Sequence, residues 1–267
     1  MSGPGTEGSP RWPEWEVSEP EGGFASPWPS AVELARAMPS GSWTLVGGLM
    51  VQLHALHAGQ MPPRATTDVD MVLHIETDRI SWAKTCEVLQ SKSYALQEPH
   101  SRTGPVHRFL RQGDLGQDVV DVLIADHVSP TAYGLRGGGQ NLMRIPGATS
   151  ALRKTVNCRV IEEQGEAVIF SVPNVLGALT LKGGAYLEDS RDRARHLEDA
   201  VVLLDTVTDA DAIVEDITAW TQHDQGRIQA LMRNLPVEHE SWLVIRDGRR
   251  RIRAQQSLKI LADGPAS

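Results

Sequence analysis

Apolar residues follow two different periods along the chain, and their alternation predicts an α/β fold. Short apolar runs that suit strands are WTLVGG (43–48), DVDMVLHI (68–75), VHRFLRQ (106–112) and QDVVDVLIAD (117–126). Runs with helical spacing lie before, between or after them: PSAVELARAM (29–38), GLMVQLHALHA (48–58) and DRISWAKTCEVLQSK (78–92). Because strand-like and helix-like runs alternate, we expect a mixed sheet with flanking helices.

The second half of the chain changes from strands to helices near Pro173. TVNCRVIEE (155–163) and EAVIFSV (166–172) read as a hairpin, which follows a glycine-rich loop at Gly137 to Gly139. Beyond Pro173 the pattern is helical to the end, over residues 175–187, 190–205, 209–221, 224–234 and 248–262. We therefore predict an α/β domain over residues 29–172 and a helical C-terminal region over residues 173–267.

The composition of the chain predicts a disordered N-terminal tail and a cellular location. Residues 1–28 are rich in Pro, Gly, Ser and Glu without an apolar period, which predicts a disordered tail. The chain of 267 residues has only two cysteines, far apart, so we expect no disulfide framework and a cytoplasmic location. No run reaches the roughly 18 apolar residues of a membrane span, and no signal peptide is visible, so no membrane partner is expected. The net charge of −8 argues against a generally basic nucleic-acid-binding surface.

Two aspartates lie one residue apart at the start of the strand-like run DVDMVL. Residues i and i+2 of a strand point to the same face, so Asp68 and Asp70 should project together, roughly 6–7 Å apart at Cα. Asp121 begins a second apolar strand, and if the two strands are neighbours, three carboxylates converge. Such a cluster is costly without a cation, and Mg²⁺ or Mn²⁺ suits oxygen ligands. Alternatively, Asp68 caps a strand edge and Asp70 is a polar residue on a wet sheet face.

Gly47 and Gly48 end a strand and open a helix in LVGGLM. Backbone N–H groups at a helix N-terminus attract phosphate, and glycine lets a ligand approach closely. Tight packing is the other explanation for such a pair. The order of the glycine pair, RATTDVDMVL and VVDVLI is more specific than any of the three alone.

These motifs resemble the nucleotidyltransferase superfamily, whose fold is shared with DNA polymerase beta, and within it the AbiEii-like abortive-infection toxins. The resemblance covers roughly residues 40–205. The residues that carry it are Gly47, Gly48, Arg64, Thr66, Asp68, Asp70, Asp121 and Lys182. It implies that Asp68, Asp70 and Asp121 bind the metals, that the glycine turn holds the phosphates, and that Lys182 touches the triphosphate. His196 stands where family members often carry an acid.

Lys182 also stands out without the family, because it follows the apolar run VLGALTL and its ammonium group could reach a cleft. A lysine that only buries its stem is the alternative. Arg191, Arg195 and Asp199 recur every four residues and should share one helix face, where the arginines pair with acids or contact phosphate. Asp199 is the stronger candidate for the nucleotide site, and a solvated ion-pair face is the alternative for Arg191.

Three further features receive other predictions. His54 and His57 are spaced like metal ligands but have no acidic or cysteine partner nearby, so we expect ordinary helix histidines. Asp126 should point to the face opposite Asp121 and cap a loop. The segment VIRDGRRRIRAQQSLK (244–259) carries six Lys or Arg against one Asp. It is either an RNA-facing helix or a solvated helix that balances the acidic stretch 197–216.

The sequence therefore predicts a metal-dependent enzyme that moves a nucleotidyl group from a nucleoside triphosphate to an acceptor hydroxyl. By resemblance it would be the toxin of a toxin–antitoxin or phage-defence pair, acting on RNA such as tRNA and binding a cognate antitoxin. A small-molecule nucleotidyltransferase of the aminoglycoside-modifying type is one alternative. A non-catalytic binding protein of the same fold is another.

Overall fold

The computed structural model describes residues 13–20, 22–62, 64–77, 79–99, 101, 104–113, 116–128, 141–163 and 165–265. The glycine-rich loop predicted at Gly137 to Gly139 and residues 1–12 of the predicted tail lie outside these ranges. The first part of the chain contains, in order, β1 (Glu14–Ser18), α1 (Trp28–Ala37), β2 (Trp43–Val46), α2 (Gly47–His57), β3 (Asp68–Leu73), α3 (Trp82–Ser91), β4 (Ala95–Leu96), β5 (Arg108–Gly113), β6 (Gly116–Ala125), β7 (Arg144–Ile145), α4 (Ala148–Leu152), β8 (Thr155–Ile161) and β9 (Ala167–Pro173).

The strands of the described residues form two sheets, so the predicted α/β class with a mixed sheet is confirmed. The larger sheet has the order β2-β3-β6-β5-β4, with β7 also beside β6. Within it, β3 runs parallel to β6, while β2 and β5 run antiparallel to their neighbours. The smaller sheet has the order β1-β8-β9, and β8 and β9 form the predicted antiparallel hairpin.

The prediction of a disordered tail is wrong for the described residues between 13 and 28. β1 pairs in parallel with β8, Val17 is buried, and the Trp15 ring stacks on His57 with centroids 4.5 Å apart. α1 begins at Trp28, whose ring lies edge-on to Phe170. The strand satisfies its backbone through a partner more than 100 residues away in sequence, so the polar local composition gave no sign of it.

The helical C-terminal region is also confirmed. It contains α5 (Val175–Glu188), α6 (Arg193–Asp205), α7 (Ala210–Glu215), α8 (Gln222–Asn234) and α9 (Gly248–Asp263). α6 begins three residues later than expected, and α7 ends early, before a short 3₁₀ turn at Ile217–Ala219. None of the described helices combines the length and hydrophobicity that a membrane span requires.

The helical region packs directly onto the sheets. Lys154 precedes β8 and places its Nζ 3.0 Å from Oδ2 of Asp224 in the first turn of α8, and both side chains are buried. Asp224 also accepts a hydrogen bond from Ser150 of α4. A buried pair of this kind fixes α8 against the sheet part of the molecule, because separation would leave each charge unpaired in the interior.

Candidate metal centre

Three carboxylates meet on one face of the larger sheet. In the parallel pairing of β3 and β6, Asp70 lies opposite Asp121, and Asp68 is two residues before Asp70 on the same face. One ligand atom from each of Asp68, Asp70 and Asp121 lies within 4.8 Å of the other two. The sequence predicted this convergence on the condition that the two strands are neighbours. The structure shows that they are.

The cluster belongs to a row of residues that crosses four adjacent strands. Val46 pairs with Asp70, Asp70 with Asp121, and Asp121 with Arg108. Gly47 and the N-terminus of α2 follow directly after Val46, at one end of the row. Arg108 lies at the other end, so the carboxylates are flanked by a helix N-terminus on one side and by a guanidinium group on the other.

The electrostatics of the cluster favour a bound cation. Burial raises the pKa of Asp70 to about 7, and the charges of Asp68 and Asp121 act in the same direction. Lys182 and Arg195 lower this pKa but do not outweigh the other effects. A divalent cation would favour the ionised form, and three carboxylate oxygens are the donors that Mg²⁺ and Mn²⁺ prefer. The residues present thus fit such an ion.

Arg108 pairs with Asp121 through two hydrogen bonds. Its Nε donates to Oδ1 at 2.8 Å and its Nη2 donates to Oδ2 at 2.6 Å. The hydrogen bonds that Arg108 donates to Asp121 raise the pKa of Arg108, and the charges of Asp121, Asp68 and Asp70 act in the same direction. Arg108 was not among the predicted site residues. Its polar side chain in the otherwise strand-like run VHRFLRQ was the available signal, but its position depends on the register between β5 and β6.

Gly47 and Gly48 leave the space that the carboxylates and their neighbour need. A Cβ on Gly47 would lie 2.6 Å from Cγ of Asp70, and the φ angle of +67° also favours glycine. A Cβ on Gly48 would lie 2.7 Å from Cβ of Thr66, whose hydroxyl donates to Oδ1 of Asp68 at 3.0 Å. Close packing thus accounts for both glycines, and their predicted contact with phosphates stays a prediction.

Asp199 of α6 joins two of the other predicted site residues. It accepts hydrogen bonds from Nε and Nη2 of Arg64, both at 2.8 Å, and its Oδ2 lies 2.7 Å from Nζ of Lys182. Burial alone would raise the pKa of Asp199, but Lys182 and Arg64 together hold it below its usual value. Since Asp199 is almost fully buried, it would act on a ligand through the two cations that it positions.

The proposed helix face with Arg191, Arg195 and Asp199 is only partly correct. Arg191 lies before α6, where its backbone N–H donates to Oδ1 of Asp189. Arg195 is on α6 and is near enough to Asp70 to lower the pKa of that carboxyl. His196, which stands where related motifs often carry an acid, places its Nε2 3.4 Å from Oδ2 of Asp189. It therefore pairs with a carboxylate outside the cluster of Asp68, Asp70 and Asp121.

A cleft of about 450 Å³ lies beside the carboxylates. Its walls come from the β2–α2 junction, from β7 and the residues around it, and from α5 and the turn that follows. Gly47 and Lys182 are among its lining residues, so the cleft adjoins the end of the row that carries the helix N-terminus. Apolar side chains such as Met50, Ile145 and Leu181 supply much of its surface, and Glu188 and Arg191 supply charged groups. A cleft of this size and composition suits a small organic ligand with an apolar ring and polar substituents.

The residues set aside on sequence grounds have structural partners. Nε2 of His54 is 3.0 Å from the Pro173 carbonyl oxygen, and burial lowers the pKa of His54 to about 4. His57 stacks on Trp15. Asp126 accepts hydrogen bonds from the backbone N–H groups of Gly147 and Thr149, so it caps the start of helix α4 instead of the loop that the sequence predicted.

The basic segment pairs with the acidic stretch of the same chain. Arg250 donates to both carboxylate oxygens of Asp205, the Nε bond measuring 3.0 Å, and Nη2 of Arg253 lies 3.7 Å from Oδ1 of Asp205. Arg251 donates to the backbone carbonyl of Ile245. Asp205 ends α6, six residues or about 9 Å along the helix from Asp199. These contacts support the second of the two sequence interpretations, a helix that balances acidic residues.

Comparison of the chain with models of known protein families, with characterised proteins and with solved structures gave no match.

Proposed function

We propose that this protein is a metal-dependent nucleotidyltransferase with the nucleotidyltransferase type of fold. The observation that carries the proposal is the convergence of Asp68, Asp70 and Asp121 within 4.8 Å, beside a helix that starts with two glycines. Carboxylates this close together repel one another, and the hydrogen bonds of Arg108 go to Asp121 alone of the three, so a bound cation would stabilise the cluster. The order of the motifs along the chain adds the resemblance described above.

The residues of the site fall into two groups, one that would bind the metal ion and one that would bind the nucleoside triphosphate. Asp68, Asp70 and Asp121 would hold Mg²⁺ or Mn²⁺, which when bound supplies positive charge to neutralise and orient the phosphates. The N-terminus of α2 at Gly47 and Gly48 presents backbone N–H groups to the triphosphate. Lys182 and Arg64, held by Asp199, supply positive charge on the same side, and Thr66 orients Asp68. The nucleoside would enter the adjoining cleft.

The reaction is a displacement at the α-phosphorus of the triphosphate. The acceptor hydroxyl oxygen forms a new bond to the α-phosphorus while the bond to the bridging oxygen of the β-phosphate breaks. Pyrophosphate leaves with that electron pair, and Asp121 accepts the hydroxyl proton. Because little covalent work falls to the protein, most of the acceleration comes from positioning and charge.

The acceptor and the biological role are proposals that rest on the resemblance. They are an RNA acceptor such as tRNA, and a toxin that is held in check by a cognate antitoxin. A toxin of this kind should arrest growth when expressed alone, and Asp70→Asn should relieve the arrest without lowering the amount of protein. Growth arrest that persists in Asp70→Asn would separate the toxicity from the carboxylate site.

The test of the activity is label transfer. The protein is incubated with each labelled nucleoside triphosphate, Mg²⁺ or Mn²⁺, and either total cellular RNA or a panel of hydroxylated small molecules. Asp121→Asn should abolish transfer. Asp118→Asn is the matched control, because Asp118 lies on the same strand but pairs with Arg111, away from the cluster. Label on a small molecule would support the aminoglycoside-type alternative, and no label on any acceptor would support a binding protein.

A further inference from the structure

Arg108 lies on the side of the carboxylates opposite the helix N-terminus. The row Val46, Asp70, Asp121, Arg108 spans three strand spacings, which separates Val46, the residue before Gly47, from Arg108 by about 14 Å of sheet. If the triphosphate binds at the Gly47 end, the attacking hydroxyl must come from the other end, because attacking and leaving oxygens are in line. With the triphosphate placed in this way, Arg108 lies on the acceptor side of the carboxylates.

Two partly buried apolar residues lie next to Arg108 and Asp121 on the same face of the sheet. A second row joins Asp68, Val119 and Leu110, and the latter two side chains are only partly buried. Their neighbours on the opposite face, Val120 and Phe109, are fully buried in the core. Val119 and Leu110 thus offer an apolar floor to a flat group on the acceptor, next to the guanidinium of Arg108.

A metal ion bound by the triad and the Arg108 guanidinium would both contact the oxygens of Asp121, and their positive charges would repel each other. Arg108 uses both carboxylate oxygens of Asp121, and a cation that is held by the triad must take at least one of them. The Arg108 side chain is 40% exposed, so it can leave the pair without opening the core. Once Arg108 has left Asp121, its guanidinium group can donate two parallel hydrogen bonds to a phosphate.

We propose that Arg108 selects the acceptor: when the carboxylates hold metal, Arg108 binds a phosphate beside the acceptor hydroxyl, so that the acceptor is an RNA strand. The inference rests on the proposed function. A polycationic acceptor such as an aminoglycoside would meet a released positive charge at this position. An RNA end brings a backbone phosphate to the guanidinium and a base to the apolar floor of Val119 and Leu110.

The test is binding of a short labelled single-stranded RNA, measured by anisotropy with Mn²⁺ and with a chelator. Arg108→Gln should weaken RNA binding about tenfold in Mn²⁺, equivalent to about 1.4 kcal/mol. In chelator it should have little effect, because Arg108 is then engaged with Asp121. Arg233→Gln is the matched control, since it removes the same charge from an exposed position near the end of α8. Equal RNA affinity of Arg108→Gln and the parent in Mn²⁺ would overturn the proposal.

Metal titration by calorimetry gives a second readout. It separates a failure of the proposed function from a failure of the role proposed for Arg108. Arg108→Gln should bind Mn²⁺ more tightly than the parent, because the competing guanidinium is gone. If the parent binds no Mn²⁺, the proposed function fails. If the parent binds Mn²⁺ and Arg108→Gln does so with unchanged or lower affinity, only the role of Arg108 fails. Arg108→Lys should fold, keep the charge and recover part of the RNA affinity, which covers the case in which Arg108→Gln is unstable.

Discussion

Asp70 occupies the space that a side chain on Gly47 would need. A Cβ at Gly47 would lie 2.6 Å from Cγ of Asp70, and Gly47 has a φ angle of +67°. The glycine that starts α2 and the central carboxylate of the cluster therefore fit together as one unit. A side chain at Gly47 should therefore disturb the carboxylate cluster as well as the backbone.

Gly47→Ala should weaken Mn²⁺ binding and lower stability. The alanine strains the left-handed backbone by about 1–2 kcal/mol, and its methyl group must also displace the Asp70 carboxylate. Gly59→Ala is the matched control, because Gly59 has a φ angle of +69° and nothing within 4 Å of its Cβ position. Denaturant unfolding and Mn²⁺ calorimetry on both variants check this. Equal loss of Mn²⁺ affinity in the two variants would show that backbone strain alone is responsible.

Asp70→Asn should fold, lose activity and become more stable than the parent in the absence of metal. The pKa of Asp70 is raised by folding, so the folded state binds the proton more tightly than the unfolded state. The parent's stability should therefore fall as pH rises from about 4 through about 7, and the variant should lack this loss. Unfolding in chelator at about pH 5 and about pH 8 tests this, and between these pH values the parent should lose on the order of 2–3 kcal/mol that the variant keeps. Unfolding of Asp70→Asn at both pH values would instead mark Asp70 as a structural residue.

Asp199→Asn should destabilise the protein by about 3–5 kcal/mol, because it leaves Arg64 and the buried Lys182 without their counterion. It should also weaken binding of a nucleoside triphosphate. Asp205→Asn is the control at the other end of α6, where a buried aspartate pairs with Arg250 and Arg253. Both variants should unfold at lower denaturant, but only Asp199→Asn should change triphosphate affinity. Unchanged triphosphate affinity in Asp199→Asn would remove Lys182 and Arg64 from the nucleotide site.

Mn²⁺ and a non-hydrolysable nucleoside triphosphate should each bind more tightly in the presence of the other. The phosphates complete the coordination of a cation that three carboxylates hold, and coupling of about 1–3 kcal/mol is typical of linked sites. Calorimetry with each ligand alone and together measures the coupling, and Asp68→Asn should reduce it. Independent binding of the two ligands would mean that the triphosphate does not reach the carboxylates.

Neutralising Arg250 and Arg253 to Gln should lower stability and leave RNA labelling per folded molecule unchanged. Both arginines pair with Asp205, which would become a buried unpaired charge. Arg249→Gln is the milder comparison, since Arg249 is exposed near the start of α9. Labelling that falls in the double variant when equal amounts of folded protein are compared would restore the basic segment as an RNA-binding surface.

The sequence by itself determined the type of most of the elements and the position of the carboxylate pair on one strand face. Period-two and period-3.6 patterns are local, so β3, β6, α2 and α5 were recognised, and the spacing of Asp68 and Asp70 placed them on one face. Tertiary structure alone decided that β3 and β6 are neighbours, which brings Asp121 to the pair, and that β5 places Arg108 opposite Asp121. It also decided that β1 pairs with β8 and that Asp199 holds Arg64 and Lys182. Strand register and ion pairs between distant segments depend on the packing of the whole chain. A local sequence pattern does not specify which distant segment will be the partner.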